Sequence, residues 1–142
     1  MSDQMKTGPL AGIKVVDMST VVFGPLATMI LGDLGADVVK VESPNNQDVM
    51  RFAGDSPTGD LGPIFTALNR NKTSRLLDIK KPEDRAELDT LLSEADVFLH
   101  NIRMASAGRL GLDYESVRAL RSDIIYVHCA GFGSDGPYAG QP

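Results

Sequence analysis

The chain has 142 residues, which suits one domain, and its 42% hydrophobic and 23% charged residues are typical of a globular protein. The formal net charge of -5 argues against a general nucleic-acid-binding protein, which usually carries a basic face. The single cysteine, Cys129, excludes an internal disulfide, and no apolar run is long enough for a membrane span or a signal peptide. We therefore expect a cytoplasmic protein that binds neither nucleic acid nor membranes.

The first part of the sequence predicts a β-α-β unit. Residues 1–8 are predicted to be a flexible tail, and residues 13–17 read as a short buried strand. Gly24 and Pro25 open a helix, because proline suits the first helical position. A second strand is predicted at 37–42. The predicted apolar face of the helix comprises Leu26, Met29, Ile30 and Leu34.

The rest of the chain continues this alternation after a long loop at residues 43–62, of a length that is usually functional or mobile. The further predicted elements are a helix at 64–68, a strand at 75–78, a helix from Pro82, a strand at 96–99, a helix at 114–120 and a strand at 124–129. Such alternation predicts an α/β fold, a Rossmann-like open and mostly parallel sheet with helices on both faces. The segments that follow parallel strands emerge at one edge, so we expect a ligand crevice there.

The first strand-to-helix connection contains no G-x-G-x-x-G pattern, which disfavours a dinucleotide cofactor. Basic residues concentrate at 69–75, at Lys80 and Lys81, and at Arg103 and Arg109. In an acidic chain these clusters indicate an anionic ligand such as a phosphate ester. The alternative interpretation of each cation is a solvated surface charge.

The remaining chemistry-bearing residues give weak signals. His100 lies at the crevice edge and is a weak catalytic candidate, while His128 is interpreted as a hydrogen-bonded core residue. Two histidines and Cys129 provide no zinc spacing, so no metal site is predicted. Glu42 and Asp78 end strands at the crevice, where capping or ion pairing is the favoured role.

Several segments, in order along nearly the whole chain, resemble the class III CoA-transferase family (the CaiB/BaiF type). They include Leu-Gly-Asp-Leu-Gly-Ala-Asp-Val-Val-Lys-Val-Glu at 31–42, Leu-Asn-Arg-Asn-Lys-Thr-Ser at 68–74 and Gly-Phe-Gly at 131–133. The further matching segments are 9–17, 24–25, 77–80, 95–97 with Asn101, 109–112 and 136–139. Each piece is weak, but the ordered set is specific.

The resemblance implies that coenzyme A or an acyl-CoA thioester is the substrate, with no tightly bound cofactor. The family's CoA contacts carry over to Val22, Phe23, Ser43, Leu77, Asp78, Ile79, Lys80, Asn101, Ile102, Arg103, Arg109, Gln141 and Pro142. This chain departs from the family in reading Asn-Ile-Arg-Met-Ala at 101–105, where Asn-Phe-Arg-Pro-Gly is common. It also lacks the basic residue that relatives frequently place near Ser43.

The resemblance further implies transfer of CoA between carboxylic acids through an aspartyl-CoA thioester. The nucleophilic aspartate is expected beyond Pro142, so residues 1–142 are interpreted as one N-terminal CoA-binding domain that is inactive alone and carries no catalytic residue. Two alternatives stay open: a non-catalytic truncated paralogue that binds CoA or a protein partner, and part of a 2-methylacyl-CoA racemase. A homo-oligomer is expected, or a second polypeptide that completes the fold.

Overall fold

The computed structural model describes residues 7–56, 59, 61–133, 135–139 and 141. Within them, five strands form one sheet: β1 (Lys14–Met18), β2 (Asp37–Glu42), β3 (Lys72–Leu76), β4 (Val97–His100) and β5 (Ile125–His128). The strand order is β3-β2-β1-β4-β5, and every neighbouring pair is parallel. The predicted open parallel sheet is therefore confirmed. Strands β2 and β3 lie on one side of β1, and β4 and β5 lie on the other.

Helices cover both faces of this sheet. They are α1 (Phe23–Asp33), α2 (Pro63–Leu68), α3 (Pro82–Glu94), α4 (Met104–Arg109) and α5 (Tyr114–Leu120). The larger core cluster joins Val16 and Phe98 of the sheet to Leu88 and Leu92 of α3 and Val117 of α5. A smaller cluster on the opposite face contains Val15 and Val38. Neighbouring residues of one strand thus serve different cores, because side chains alternate across a strand.

The buried face of α1 differs from the prediction. Met29 is buried, but Leu26, Ile30 and Leu34 are exposed, and the helix instead turns Gly24, Thr28 and Gly32 inward. These small residues let the helix approach closely: a Cβ on Gly32 would lie 3.4 Å from the Cβ of Asn71. Helical periodicity located the apolar stripe of α1 but not the face that packs on the sheet.

Strand β3 begins earlier than the predicted 75–78. It runs from Lys72 to Leu76 and pairs with β2 alone, at the edge of the sheet. Residues 73–76 are all exposed, so the hydrophobic pattern that marks a buried strand is absent. Helix α4 was also not predicted, because it is short, contains Gly108 and buries only Ala107.

The predicted loop at 43–62 contains a 3-10 turn, Val49–Arg51, that contacts α2. The Gly62 N–H donates to the Arg51 carbonyl oxygen (2.7 Å), which closes the segment on itself. Of the predicted tail, residues 1–6 lie outside the described residues, whereas the Gly8 carbonyl accepts a bond from the Ala11 N–H (3.1 Å). No helix in the described part of the chain is long and apolar enough to cross a membrane.

Candidate functional site

The carboxyl ends of the five strands reach the same edge of the sheet. Met18 pairs with His100, His100 pairs with His128, and Glu42 pairs with Leu76. The segments after all five strands consequently leave at similar height, which is the arrangement that places ligands at the edge of an open α/β sheet. We call the space bordered by these segments the carboxyl-edge crevice.

A buried carboxylate organises the first of these segments. Asp17 is fully buried, and its oxygens accept bonds from the Ser19 N–H (2.9 Å), the Thr28 hydroxyl (2.7 Å) and the Lys72 ammonium (2.9 Å). Burial opposes the charged form, but the positive charges of Lys72 and Lys40, together with these bonds, outweigh it and lower the pKa of Asp17. Asp17 is therefore an ionised anchor that ties β1, α1 and β3 together.

A second charge network holds the segment after β2 in place. Glu42 accepts bonds from the Asp48 N–H (2.9 Å) and from both Nε (3.0 Å) and Nη2 of Arg51. Burial opposes ionisation of Glu42, but its bond to Arg51 is the main reason that its pKa is nevertheless lowered. The guanidinium of Arg51 also lies over the ring of Phe65, 4.0 Å from its centroid. The favoured ion-pairing role of Glu42 is thus confirmed.

The segment after β4 is joined to the first strand-to-helix connection, between β1 and α1, by a pair of reciprocal hydrogen bonds. The Thr20 N–H donates to Oδ1 of Asn101 (3.1 Å), and Nδ2 of Asn101 donates to the Thr20 carbonyl oxygen (3.1 Å). Two residues that are distant in the sequence therefore lie side by side at the crevice.

His100, the weak catalytic candidate at the crevice edge, is buried and bonded within the fold. Its ring is fully buried, and Nδ1 accepts the Ile102 N–H (3.2 Å) while Nε2 lies 2.6 Å from the Tyr126 hydroxyl. The Tyr126 hydroxyl donates onward to the Leu112 carbonyl oxygen (2.9 Å), which assigns the proton of the neutral ring to Nε2. Burial, and then the neighbouring His128, lower the pKa of His100 to about 4.

The roles predicted for His128 and Asp78 are compared with their contacts in the structure. His128 is half-buried and stacks on His100 with ring centroids 5.0 Å apart, with no hydrogen bond to its side chain among the described residues. Asp78 lies beyond the end of β3 and accepts the Lys80 N–H at 3.3 Å in the turn before α3, whose N-cap is Lys81 and not Asp78. Its own N–H donates to the Asp84 carboxylate (2.8 Å), which joins this segment to α3.

The positions carried over from the family resemblance occur in every segment of the carboxyl-edge crevice, but they differ in accessibility. Val22 and Phe23 are exposed at the start of α1, and Ser43 is half-buried directly after β2. Leu77 is only 4% exposed and belongs to the core, so its side chain is not free to contact a ligand. Asp78, Ile79 and Ile102 are half-buried, while Lys80, Asn101, Arg103, Arg109 and Gln141 are exposed. Pro142 lies outside the described residues.

The predicted basic clusters do not all reach this edge. The cluster at 69–75 precedes and forms β3, so its first residues lie at the opposite end of that strand. Arg70 pairs with Asp33 (2.5 Å) and Lys72 pairs with the buried Asp17. Arg70 and Lys72 are therefore engaged by carboxylates of the fold and are not free cations at the crevice. Lys80 and Arg103 do follow β3 and β4, and both are exposed.

Two structural contributors were missed at the level of sequence. Asp48 is fully buried and accepts the Val21 N–H, and Lys40 is 1% exposed and donates to the Ser19 carbonyl oxygen (2.7 Å). An aspartate three residues before Arg51, in a segment following a strand, was the available signal for a capped turn. Nothing in the pattern indicated that its carboxylate would reach the first strand-to-helix connection. Within the described residues, no three His, Cys, Asp or Glu side chains are grouped so that they could hold a metal ion.

A sequence model of CoA-transferase family III matches residues 10–142. The succinate-glutarate CoA-transferase of Agrobacterium fabrum is 41% identical over 137 residues, which cover 92% of this chain and 34% of that protein. Human succinyl-CoA:glutarate CoA-transferase is 38% identical, over 96% of this chain and 31% of its own length. This chain thus spans about a third of these relatives. A crystal structure of a CaiB/BaiF family protein from Brucella suis superposes with a TM-score of 0.88 at 39% identity, covering 96% of this chain and 37% of that one.

Proposed function

This chain belongs to CoA-transferase family III, and on that premise we propose that its carboxyl-edge crevice binds the CoA part of an acyl thioester. The observation that carries the proposal is convergence. The positions matched to family CoA contacts are distant in sequence, yet the described ones follow strands that end at one edge. We propose that residues 1–142 act as one CoA-binding domain, with CoA thioesters as substrates and no tightly bound cofactor.

The charges of the crevice support a phosphate-bearing ligand. Arg51, Arg70 and Arg121 are each paired with a carboxylate and serve the fold. Within the described residues, the exposed side chains of Lys80 and Arg103 form no ion pair. Cations at a ligand edge that are free of carboxylates can meet the phosphates of CoA. The apolar side chains of Val22, Phe23 and Ile102 offer contacts to its uncharged parts.

For the whole protein we propose transfer of CoA between two carboxylic acids. An aspartate carboxylate from outside residues 1–142 attacks the thioester carbonyl carbon, and CoA leaves as a thiolate to give a mixed anhydride. The thiolate then attacks the aspartyl carbonyl, which releases the first acid as its carboxylate and forms an aspartyl-CoA thioester. The reverse two steps with the second carboxylate give the new acyl-CoA and restore the aspartate. The transferase names of the relatives favour this reaction over racemisation.

We further propose that the protein is cytoplasmic and forms a homo-oligomer, or pairs with a second polypeptide that completes the fold. The exposed apolar side chains of α1, which include Leu26, Ile30 and Leu34, support association.

Calorimetric titration of the 142-residue chain with coenzyme A tests the binding role. We expect weak binding, and we expect a Lys80→Ala/Arg103→Ala variant to bind about tenfold more weakly because two phosphate contacts are lost. Arg118→Ala is the matched control, since Arg118 is an exposed cation of α5 outside the crevice. Absence of binding at millimolar coenzyme A, or equal losses in the control, would count against the proposal.

Arg109 is tested separately because the structure gives it a local partner. It ends α4, and its Nη2 donates to the Ser106 hydroxyl (2.9 Å). If Arg109 also meets a phosphate, Arg109→Ala weakens coenzyme A binding by about threefold or more. Unchanged affinity would assign Arg109 to the surface of the helix.

A further inference from the structure

The first strand-to-helix connection holds a backbone conformation that its own residue disfavours. Val21 has φ of 76°, in the left-handed region. This conformation is a steric outlier for a β-branched residue, since its side chain crowds the backbone there. The Val21 side chain is 41% exposed, so packing alone is a poor means of imposing this geometry. Some other contact must stabilise the turn.

That contact is the carboxylate of Asp48. The Val21 N–H lies 3.1 Å from each of the two Asp48 oxygens. The same carboxylate accepts the Met50 N–H (3.0 Å) and lies 3.4 Å from the ammonium of Lys40. Asp48 is fully buried, and hydrogen bonds to a buried charge are strong and directional.

The network places Asp48 firmly from both sides. Its N–H is held by Glu42 at the end of β2, and Lys40 of the same strand also donates to the Ser19 carbonyl oxygen (2.7 Å). The segment after β2 thereby acts as a brace against the segment after β1. Directly after the braced residue come Val22 and Phe23, which are 43% and 74% exposed at the crevice.

We propose that Asp48 is a positioning residue for coenzyme A, which holds Val21 in the left-handed conformation and so presents Val22 and Phe23 to the ligand. This inference rests on the proposed binding function of the crevice and extends it to a residue that does not itself touch the ligand. Pre-organising the turn means that its ordering does not have to accompany binding.

The test compares coenzyme A affinities by NMR titration of the 142-residue chain, with the backbone amides of the first turn as reporters. Asp48→Asn leaves one side-chain oxygen for the Val21 N–H, the Met50 N–H and the Lys40 ammonium. We expect about tenfold weaker binding, because the strained turn then samples other conformations. Asp48→Glu keeps the charge but displaces the carboxylate oxygens, and we expect it to weaken binding by a similar factor. It serves as the test variant if Asp48→Asn folds poorly.

Rescue distinguishes positioning from a merely structural role. Glycine adopts positive φ without steric cost, so Val21→Gly in the Asp48→Asn background should return the affinity to within about threefold of the parent. Asp113→Asn is the matched control. Asp113 also accepts a backbone N–H, from Ser116 (3.1 Å), but it caps α5 away from the turn, and its variant should bind coenzyme A like the parent.

The outcomes separate this inference from the proposed function. A parent chain that binds no coenzyme A contradicts the binding function and the positioning role together. If the parent binds but Asp48→Asn binds equally well, only the positioning role fails. The positioning role also fails if the folded double variant with glycine at position 21 shows no recovery.

Discussion

At the scale of single residues, the structure explains why one ionisable group stays neutral. Every polar atom of the His100 ring is occupied in the neutral form: Nδ1 by the Ile102 N–H and Nε2–H by the Tyr126 hydroxyl. Burial, and then the neighbouring His128, hold the pKa of His100 at about 4 in the folded chain, below the usual 6.5.

This pKa predicts a specific loss of stability in mild acid. The depressed pKa means that the unfolded chain binds a proton first, so the free energy of unfolding is fully retained above about pH 6.5 and falls as the pH approaches about 4. Between about pH 7.5 and about pH 5 we expect a decrease of about 2 kcal/mol in the free energy of unfolding, measured by urea denaturation.

The control for this pH dependence is His100→Gln. Glutamine can accept the Ile102 N–H but does not titrate, so most of the decrease over that interval should disappear. Carboxylates with lowered pKa values, such as Asp17 and Glu42, lose their stabilising effect at lower pH and contribute little in this window. An identical pH profile in the glutamine variant would show that another group is responsible.

At the scale of secondary-structure elements, the packing of α1 depends on the absence of a side chain at Gly24. A Cβ there would overlap the Ser19 side chain and lie 3.1 Å from Cδ2 of Leu99. Ser19 is buried and bonded to Asp17, so it cannot move aside without breaking that contact. The close approach of α1 to the sheet therefore requires glycine at this position.

Substitution at two helical glycines tests this packing. We expect Gly24→Ala to lower the free energy of unfolding by about 1–3 kcal/mol through overpacking. Gly108→Ala is the matched control, because Gly108 lies in α4 with no atom within 4 Å of an added Cβ. There alanine should raise the free energy of unfolding by about 0.5–1 kcal/mol through helix propensity. Thermal denaturation that ranks the two variants in the opposite order would contradict the packing argument.

At the scale of the whole molecule, α1 packs its small residues against the sheet and therefore leaves an apolar surface on its outer side. We define this surface by Leu26, Ile30 and Leu34, which are 37%, 46% and 41% exposed. We expect sedimentation velocity to show association that increases with protein concentration, since clustered apolar side chains favour burial against another protein surface. Ile30→Lys should shift the distribution towards the monomer.

The control for association is Leu120→Lys, which introduces the same charge at a 38% exposed leucine on α5. Its sedimentation should match that of the parent. A parent chain that remains monomeric at high concentration, or equal effects of both lysines, would remove the α1 surface as the site of association.

The secondary-structure elements could be located from the sequence with different accuracy. Buried strands such as β2 contain apolar runs, and Pro82 and Asp113 mark the starts of helices, so these elements were predicted closely. Edge strand β3 was misplaced because its exposed residues carry no hydrophobic pattern. The inward face of α1 was wrong because close packing selected small residues over the apolar stripe.

The sequence by itself determined the parallel α/β class, the family and the edge at which the candidate contacts gather. These depend on local periodicity and on motifs that are contiguous in the chain. Only the tertiary structure decided which charged side chains are paired within the fold and which are left exposed. Asp48 reaches Val21 across 27 positions, and Lys72 reaches Asp17 across 55. Such contacts depend on strand order and side-chain reach, and burial makes them strong.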